Sequence, residues 1–187
     1  MKKGTAMGVI DDTTLFNLIR QGDVTAADKL VNRWHSMFTG FIARITGIDD
    51  AADIVQDTYL TLFKKFHTFK NINHARRFMY KTGYNRAIDL YRKKRTHALA
   101  HTEIKRNMTG SSSGLDSRLL HDLNNAVTIL PAKEKAVIAL KIQHDFTARE
   151  IAVHLGIPTG TVLYRIHNAL KTMRHFLSSR QIQEDQS

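Results

Sequence analysis

The sequence predicts an all-α protein of two small helical domains, an N-terminal helical bundle and a C-terminal helix-turn-helix domain, joined by a flexible linker. Three observations predict it. Apolar residues recur at steps of three and four along most of the chain, and no strand-like alternation lasts long enough to compete. Only 2 prolines fall in 187 residues, so helices meet few breakers. Residues 96–116 lose the apolar period and carry T-G-S-S-S-G, the composition of a polar linker. The chain therefore divides into domains at residues 9–95 and 117–178 around a linker at 96–116.

Residues 11–20 read as a short amphipathic helix with Leu15, Leu18 and Ile19 inward, ending before Gly22. Asp23 or Thr25 opens the next helix. Leu30, Val31, Trp34, Phe38, Phe41, Ile42 and Ile45 give it a heavy apolar face up to Gly47, with Trp34 a core residue rather than a ligand platform. Asp49 or Asp50 is the expected cap of a third helix. In it Ile54, Val55, Leu62, Phe63 and Phe66 pack, while Asp53, Gln56, Asp57 and Leu60 share an outward strip.

After a short polar stretch at 67–73, a helix is predicted over 74–95. It carries Arg76, Arg77, Lys81, Arg86, Arg92, Lys93, Lys94 and Arg95 with Asp89 the lone acid, and interleaves Phe78, Tyr80, Tyr84 and Tyr91. Cations beside aromatic rings suit melted or single-stranded nucleic acid, where phosphates need charge and unstacked bases need surfaces. A solvated basic face over core aromatics is the plainer alternative.

Helical periodicity returns at Ser117, with Leu119, Leu120, Leu123, Ala126, Val127 and Leu130 before Pro131, then Val137, Ile138 and Leu140. Thr147 and Glu150 make a capping box ahead of the apolar face of Ile151, Ala152 and Leu155. Gly156 supplies a turn, and Pro158 and Thr159 start a second helix with the stripe Val162, Ile166, Ala169 and Met173. Leu163, Tyr164, Arg165, His167, Asn168 and Lys171 face outward. This is the outline of a helix-turn-helix whose second helix enters a major groove, against the alternative of an ordinary helical hairpin. The polar tail at 178–187 is expected to fray.

Composition narrows the function. Lys+Arg 28 against Asp+Glu 17 gives +11 and a pI of 10.0, which favours a polyanionic partner, nucleic acid ahead of a membrane surface. There is no long apolar run and no signal-peptide core, and 0 cysteines exclude disulfides and thiolate metal sites, so a cytoplasmic protein is expected. No cofactor or metal is expected: His97 and His101 stand four apart without a third ligand nearby, and the glycine-serine stretch lacks the Gly-Lys-Ser/Thr of a phosphate loop. A nuclease or recombinase needs clustered carboxylates or a nucleophile with its base. The one acidic cluster, Asp49, Asp50, Asp53 and Asp57, is explained more simply by capping and partner binding, so the protein is not expected to be an enzyme. A stand-alone repressor or activator, with the N-terminal domain for dimerisation or sensing, leaves the basic-aromatic helix unexplained.

In order, three stretches resemble a bacterial RNA polymerase sigma factor of the extracytoplasmic-function (group IV) type. D-A-A-D-I-V-Q-D-T-Y-L-T-L-F-K-K-F is similar to the family's polymerase-binding helix, and A-R-R-F-M-Y-K-T-G-Y-N-R-A-I-D-L-Y-R-K-K-R to its promoter-opening helix. L-P-A-K-E-K-A-V-I-A-L-K-I with F-T-A-R-E-I-A-V-H-L-G-I-P-T-G-T-V is similar to its C-terminal promoter-binding domain. Together they span most of residues 11–177. The resemblance implies a non-catalytic specificity subunit that binds core RNA polymerase and promoter DNA. Asp53, Gln56, Asp57 and Leu60 would meet the coiled coil of the largest polymerase subunit. Asn85 would take a base flipped from the −10 element, since an amide satisfies donor and acceptor together. Lys81, Tyr84, Arg86, Arg77 and Asn71, with the rest of 67–73, would hold the melted strand. Tyr164, Arg165, His167, Asn168 and Thr161 would face the −35 duplex, with Arg149 and Lys171 on flanking phosphates. The family usually has tryptophan at Phe78 and basic residues at Leu163, Asn168 and Leu170, so this recognition helix has fewer cations than most. The resemblance also implies an anti-sigma factor, often membrane-tethered, as a partner.

Overall fold

Helix α1 (Asp12–Arg20) opens the fold because the Asp11 carboxylate accepts from the Thr14 N–H at 2.8 Å. The computed structural model describes residues 10–100 and 115–184, and all regular structure among them is helical. Leu15 and Phe16 are the buried residues of α1, whereas Leu18 and Ile19 are only partly covered. Phe16 turns inward to meet Phe66 at 5.1 Å between ring centroids.

Asp23, not Thr25, caps α2 (Val24–Thr46), accepting from the Ala26 N–H at 3.1 Å. Of the apolar face predicted for α2, Leu30, Trp34, Phe38, Phe41, Ile42 and Ile45 are buried, whereas Val31 is only partly covered. Gly47, at φ 91°, ends α2 and precedes α3 (Ile48–Lys64) directly. The expected carboxylate cap of α3 is therefore absent. Asp49 and Asp50 lie inside its first turn, where acids favour the positive end of the helix dipole, and Asp50 also pairs with Lys94.

Residues 67–73 are less polar in role than in composition. A 3-10 turn at Phe66–Thr68 puts Phe69 and Ile72 into the core, with Phe69 5.1 Å from Phe78 and edge-on to Phe66. The Asn71 side chain accepts from the His74 N–H at 2.9 Å, which lets α4 (Ile72–Ala100) start two residues earlier than expected. At its other end α4 takes in the first five residues assigned to the linker. Linker residues 101–114 lie outside the described residues, as do His101 and the His97 side chain.

The C-terminal helices are α5 (Leu115–Thr128), α6 (Ala132–His144), α7 (Ala148–Leu155) and α8 (Thr159–Glu184). The capping box of α7 is formed in both directions. Thr147 Oγ1 accepts from the Glu150 N–H at 3.3 Å, and the Glu150 carboxylate accepts from the Thr147 N–H at 2.8 Å. Gly156 sits at φ 67°, the left-handed conformation that ends α7. Within the described residues α8 continues as helix through the start of the expected tail to Glu184, and residues 185–187 lie outside them.

One buried cluster unites most of the chain. Ala136, Val137 and Leu140 of α6 and Ile151 and Leu155 of α7 belong to the same core as Phe38 and Ile42 of α2 and Tyr80 of α4. Helix α6 lies along α2 and α7 against α4, so the two helical domains meet through an apolar seam. A smaller cluster of Ala126, Val127, Leu130, Ile138, Ala169 and Met173 fastens α5 and α8 to α6. Gly83 explains how α4 comes so near α2: a Cβ there would stand 2.5 Å from the Phe38 ring.

Candidate nucleic-acid interface

The residues singled out in the sequence fall on three surfaces. On α3, Asp53, Gln56, Asp57 and Leu60 follow helical spacing and are all exposed, Leu60 at 53%. Gln56 and Leu60 edge a groove of 530 Å³ between α2 and α3, walled by Val31, His35, Val55, Tyr59 and Phe63. The Thr39 and Tyr59 hydroxyls are buried beside this groove without a hydrogen-bond partner, and burial raises the Tyr59 phenol above its ordinary pKa. An apolar groove with unpaired hydroxyls, beside the exposed strip of Asp53 and Asp57, suits a protein partner better than a phosphate backbone.

On α4, Arg77, Lys81 and Asn85 repeat every four residues and all are exposed. They form one outward stripe of two cations and an amide, while the exposed Asn71 side chain accepts from the His74 N–H at the start of the helix. The expected companions Tyr84 and Arg86 do not lie on this stripe. Arg86 turns to α3 and donates to the Thr61 hydroxyl at 2.9 Å and the Thr58 hydroxyl at 3.3 Å. Tyr84 is buried, and its hydroxyl accepts from Arg165 of α8. The reason is angular: positions 84 and 86 are rotated by roughly 100° to either side of 85 on an α-helix, so one face cannot hold all three.

On α8, Tyr164, His167 and Lys171 are exposed, Tyr164 at 66%, while Thr161, Arg165 and Asn168 are half-buried. Arg149 is exposed on α7. Thr161, Tyr164 and Arg165 also line a 530 Å³ cleft shared with Tyr91, Arg92 and Arg95 of α4 and with Lys133 and Glu134 at the start of α6. Burial there pushes the Glu134 carboxyl up from its ordinary pKa, with Arg165 opposing that shift. Among the described residues no group of three or more His, Asp or Glu side chains is placed to hold a metal ion.

Sequence reasoning missed the aromatic contact that joins the domains. Tyr80 meets His154 at 5.1 Å and Phe146 at 6.3 Å, and Phe146 stacks on His154 at 4.7 Å. Burial raises the Tyr80 phenol above its ordinary pKa. A signal was present: Phe146 directly precedes the Thr147 cap, where an apolar residue commonly fixes the entry of the chain into a helix.

Fold and surfaces define an all-helical protein with an exposed basic stripe on α4 and a separate apolar groove between α2 and α3. Comparison with known proteins refines that class. The family described as sigma-70 region 2 matches residues 30–97, and the one described as sigma-70 region 4 matches residues 120–173. RNA polymerase sigma factor SigV of Bacillus subtilis is 32% identical over 126 residues, 67% of this chain and 75% of its own. The ECF RNA polymerase sigma-E factor of Haemophilus influenzae is 22% identical over 173 residues, 86% of this chain and 92% of its own. The fold is that of CnrH, solved with the cytosolic domain of CnrY (TM-score 0.64, 21% identity, 90% of this chain and 97% of that one). It is also that of the Bartonella quintana sigma factor RpoE, solved with the anti-sigma factor NepR (TM-score 0.67, 19% identity, 83% and 98%). The chain belongs to the sigma-70 family of RNA polymerase sigma factors, in its extracytoplasmic-function group. That family consists of transcription initiation factors. No described helix is long and apolar enough to cross a membrane.

Proposed function

We propose that the two domains divide promoter recognition as follows. Residues 9–95 bind core polymerase through Asp53, Gln56, Asp57 and Leu60 and trap a flipped −10 base at Asn85, with Arg77 and Lys81 on the neighbouring phosphates. Residues 117–178 read the −35 duplex through Tyr164, His167 and Asn168, with Arg149 and Lys171 on its backbone. The observation that supports this reading is the exposed stripe Arg77, Lys81 and Asn85 on α4, which sets an amide able to pair with a base edge at the end of a line of two cations. Its separation from the acidic and apolar strip on α3 lets one domain hold protein and melted DNA at once. Chemistry belongs to the polymerase, and no cofactor or metal is required. The protein acts in the cytoplasm.

Its control is by an anti-sigma factor. Of two proteins with the same fold, CnrH is solved with the cytosolic domain of CnrY and the sigma factor RpoE with the anti-sigma factor NepR, and the groove beside Leu60 offers such a partner an apolar seat. Run-off transcription with purified core polymerase and a genomic fragment library tests the whole reading: initiation at discrete start sites must depend on added protein. Initiation that is unchanged without it defeats the proposal.

A further inference from the structure

Resting on the reading of α8 as the helix that enters the −35 groove, we infer that Leu163 sets a base preference there by packing on the 5-methyl group of a thymine. Leu163 and Tyr164 are adjacent and uncovered, 55% and 66% exposed, and Leu170, two turns on from Leu163, is 48% exposed. Single exposed apolar residues are ordinary on a protein surface, but neighbours on one helix make a patch. Neither buried cluster draws these three side chains in. Helix α8 packs instead through Val162, Ala169 and Met173 on its other side. Packing within the chain therefore gives no reason for a leucine at position 163.

The charge around the patch selects its occupant. Helix α8 carries no carboxylate from Thr159 to Gln183, while Lys171 and Arg174 are exposed along it and Arg149 is exposed on α7. Cations without acids fit a polyanion better than a protein face, which mixes both signs. Duplex DNA is a polyanion that also presents methyl groups. In the major groove the thymine 5-methyl is the apolar feature, and the other base edges there are donors and acceptors. A leucine set against those edges leaves them without hydrogen-bond partners, so it selects against other bases as well as for thymine.

Position along the helix agrees. Leu163 lies in the second turn of α8, and in a helix-turn-helix the first turns of the second helix reach the base edges. Gly160 lies one turn earlier, at spacings of three and four from Leu163 and Tyr164, and is exposed. A Cβ added to Gly160 would meet nothing within 4 Å. Glycine weakens a helix relative to alanine, so a helical glycine that no internal contact requires points to close approach by an outside surface.

Uracil differs from thymine only by lacking that methyl group, which supplies the test. Templates randomised at the −35 element are selected for initiation by core polymerase that depends on the full-length protein. Each thymine of the selected element, on either strand, is then replaced in turn by uracil. At one or two positions the replacement should lower initiation roughly fourfold, the effect of losing one buried methyl. The loss should be the same at about 50 and about 200 mM salt, since a methyl contact releases no counterions. Uracil between the two elements should have no effect. Leu163→Ala should lower initiation on the thymine template by a similar factor and abolish the response to uracil, with native helix content by circular dichroism. Gly160→Ala should raise thermal stability yet lower initiation, opposite changes that a purely structural role does not produce. A selected element without thymine overturns the inference, as does indifference to uracil at every −35 thymine or a uracil response that survives in Leu163→Ala. In each of these cases initiation still depends on the protein, so the proposed function stands, and the patch is left to a protein partner. If initiation never depends on the protein, the proposed function falls and the inference falls with it.

Discussion

Arg165 donates to the Tyr84 hydroxyl at 3.1 Å, a bond between residues 81 positions apart that ties α8 to α4. Tyr84 is buried there, so its hydroxyl has little access to water as a substitute partner. A hydrogen bond with one charged partner contributes about 1.5–3 kcal/mol when shielded, and less where the guanidinium stays partly hydrated. Tyr84→Phe should therefore lower stability by about 1 kcal/mol, a fall in Tm of about 2–4 °C for a chain of this size. Thermal unfolding followed by circular dichroism measures it, and an unchanged Tm means the bond adds nothing.

That bond also marks where reading the sequence stops. Helical period, caps and turns are local, and they placed α1, α2, α4 and α7 within a few residues and gave the stripe of α8 correctly. The Thr147–Glu150 box could be read because both partners lie within one turn. Asp49 and Asp50 were misassigned as caps because Gly47 ends one helix and begins the next with no side chain involved. Phe69 and Ile72 were hidden in a stretch whose composition is polar but whose two apolar residues both reach the core. Tyr84 and Arg86 were placed with Asn85 by nearness in sequence, although helix geometry turns them to other faces. The seam through Tyr80, Phe146 and His154 depends on long-range packing, and no periodicity within one helix encodes it.

Asn85 is exposed at the end of the α4 stripe, so its side chain is not part of the core. A well-formed amide–base pair is worth about 1–3 kcal/mol of discrimination. Asn85→Ala should thus reduce open-complex formation at a matched promoter roughly tenfold or more while leaving binding to core polymerase unchanged. Permanganate footprinting of the bubble and a polymerase pull-down separate the two. Equal loss of both would falsify the pocket assignment.

Leu60 presents 53% of its surface to solvent beside the α2–α3 groove. Since little of it is packed, replacing it should cost the fold at most about 0.5 kcal/mol. A large apolar residue at the centre of a docking face commonly accounts for 1–2 kcal/mol or more of binding, and a charge in its place adds a desolvation penalty. Leu60→Glu should weaken core-polymerase binding by roughly tenfold or more with Tm unchanged. Binding at wild-type affinity would remove α3 from the interface.

Asp12 joins three elements, since its carboxylate accepts from Arg33 and Trp34 of α2 and from Arg76 of α4. Burial works against its charge, but the hydrogen bonds from Trp34 and Arg33 and the charge of Arg76 outweigh it and hold its pKa below the ordinary 3.8. A carboxyl whose pKa is lower folded than unfolded contributes stability that is present above the unfolded value and lost as pH falls through the folded one. The wild-type chain should therefore keep this contribution at neutral pH and lose it only in acid below about 3.8. Asp12→Asn should cost about 1–2 kcal/mol at pH 7, discounted because Arg33 is partly solvated. The two stability curves should converge as acid protonates the wild-type carboxyl. Trp34 is the chain's 1 tryptophan, and its indole N–H donates to Asp12 at 2.9 Å. Its fluorescence therefore follows the network directly in the folded protein. A pH titration of that signal should show an acid transition that Asp12→Asn abolishes, and a transition retained in the variant would mean that another carboxyl controls the acid limb.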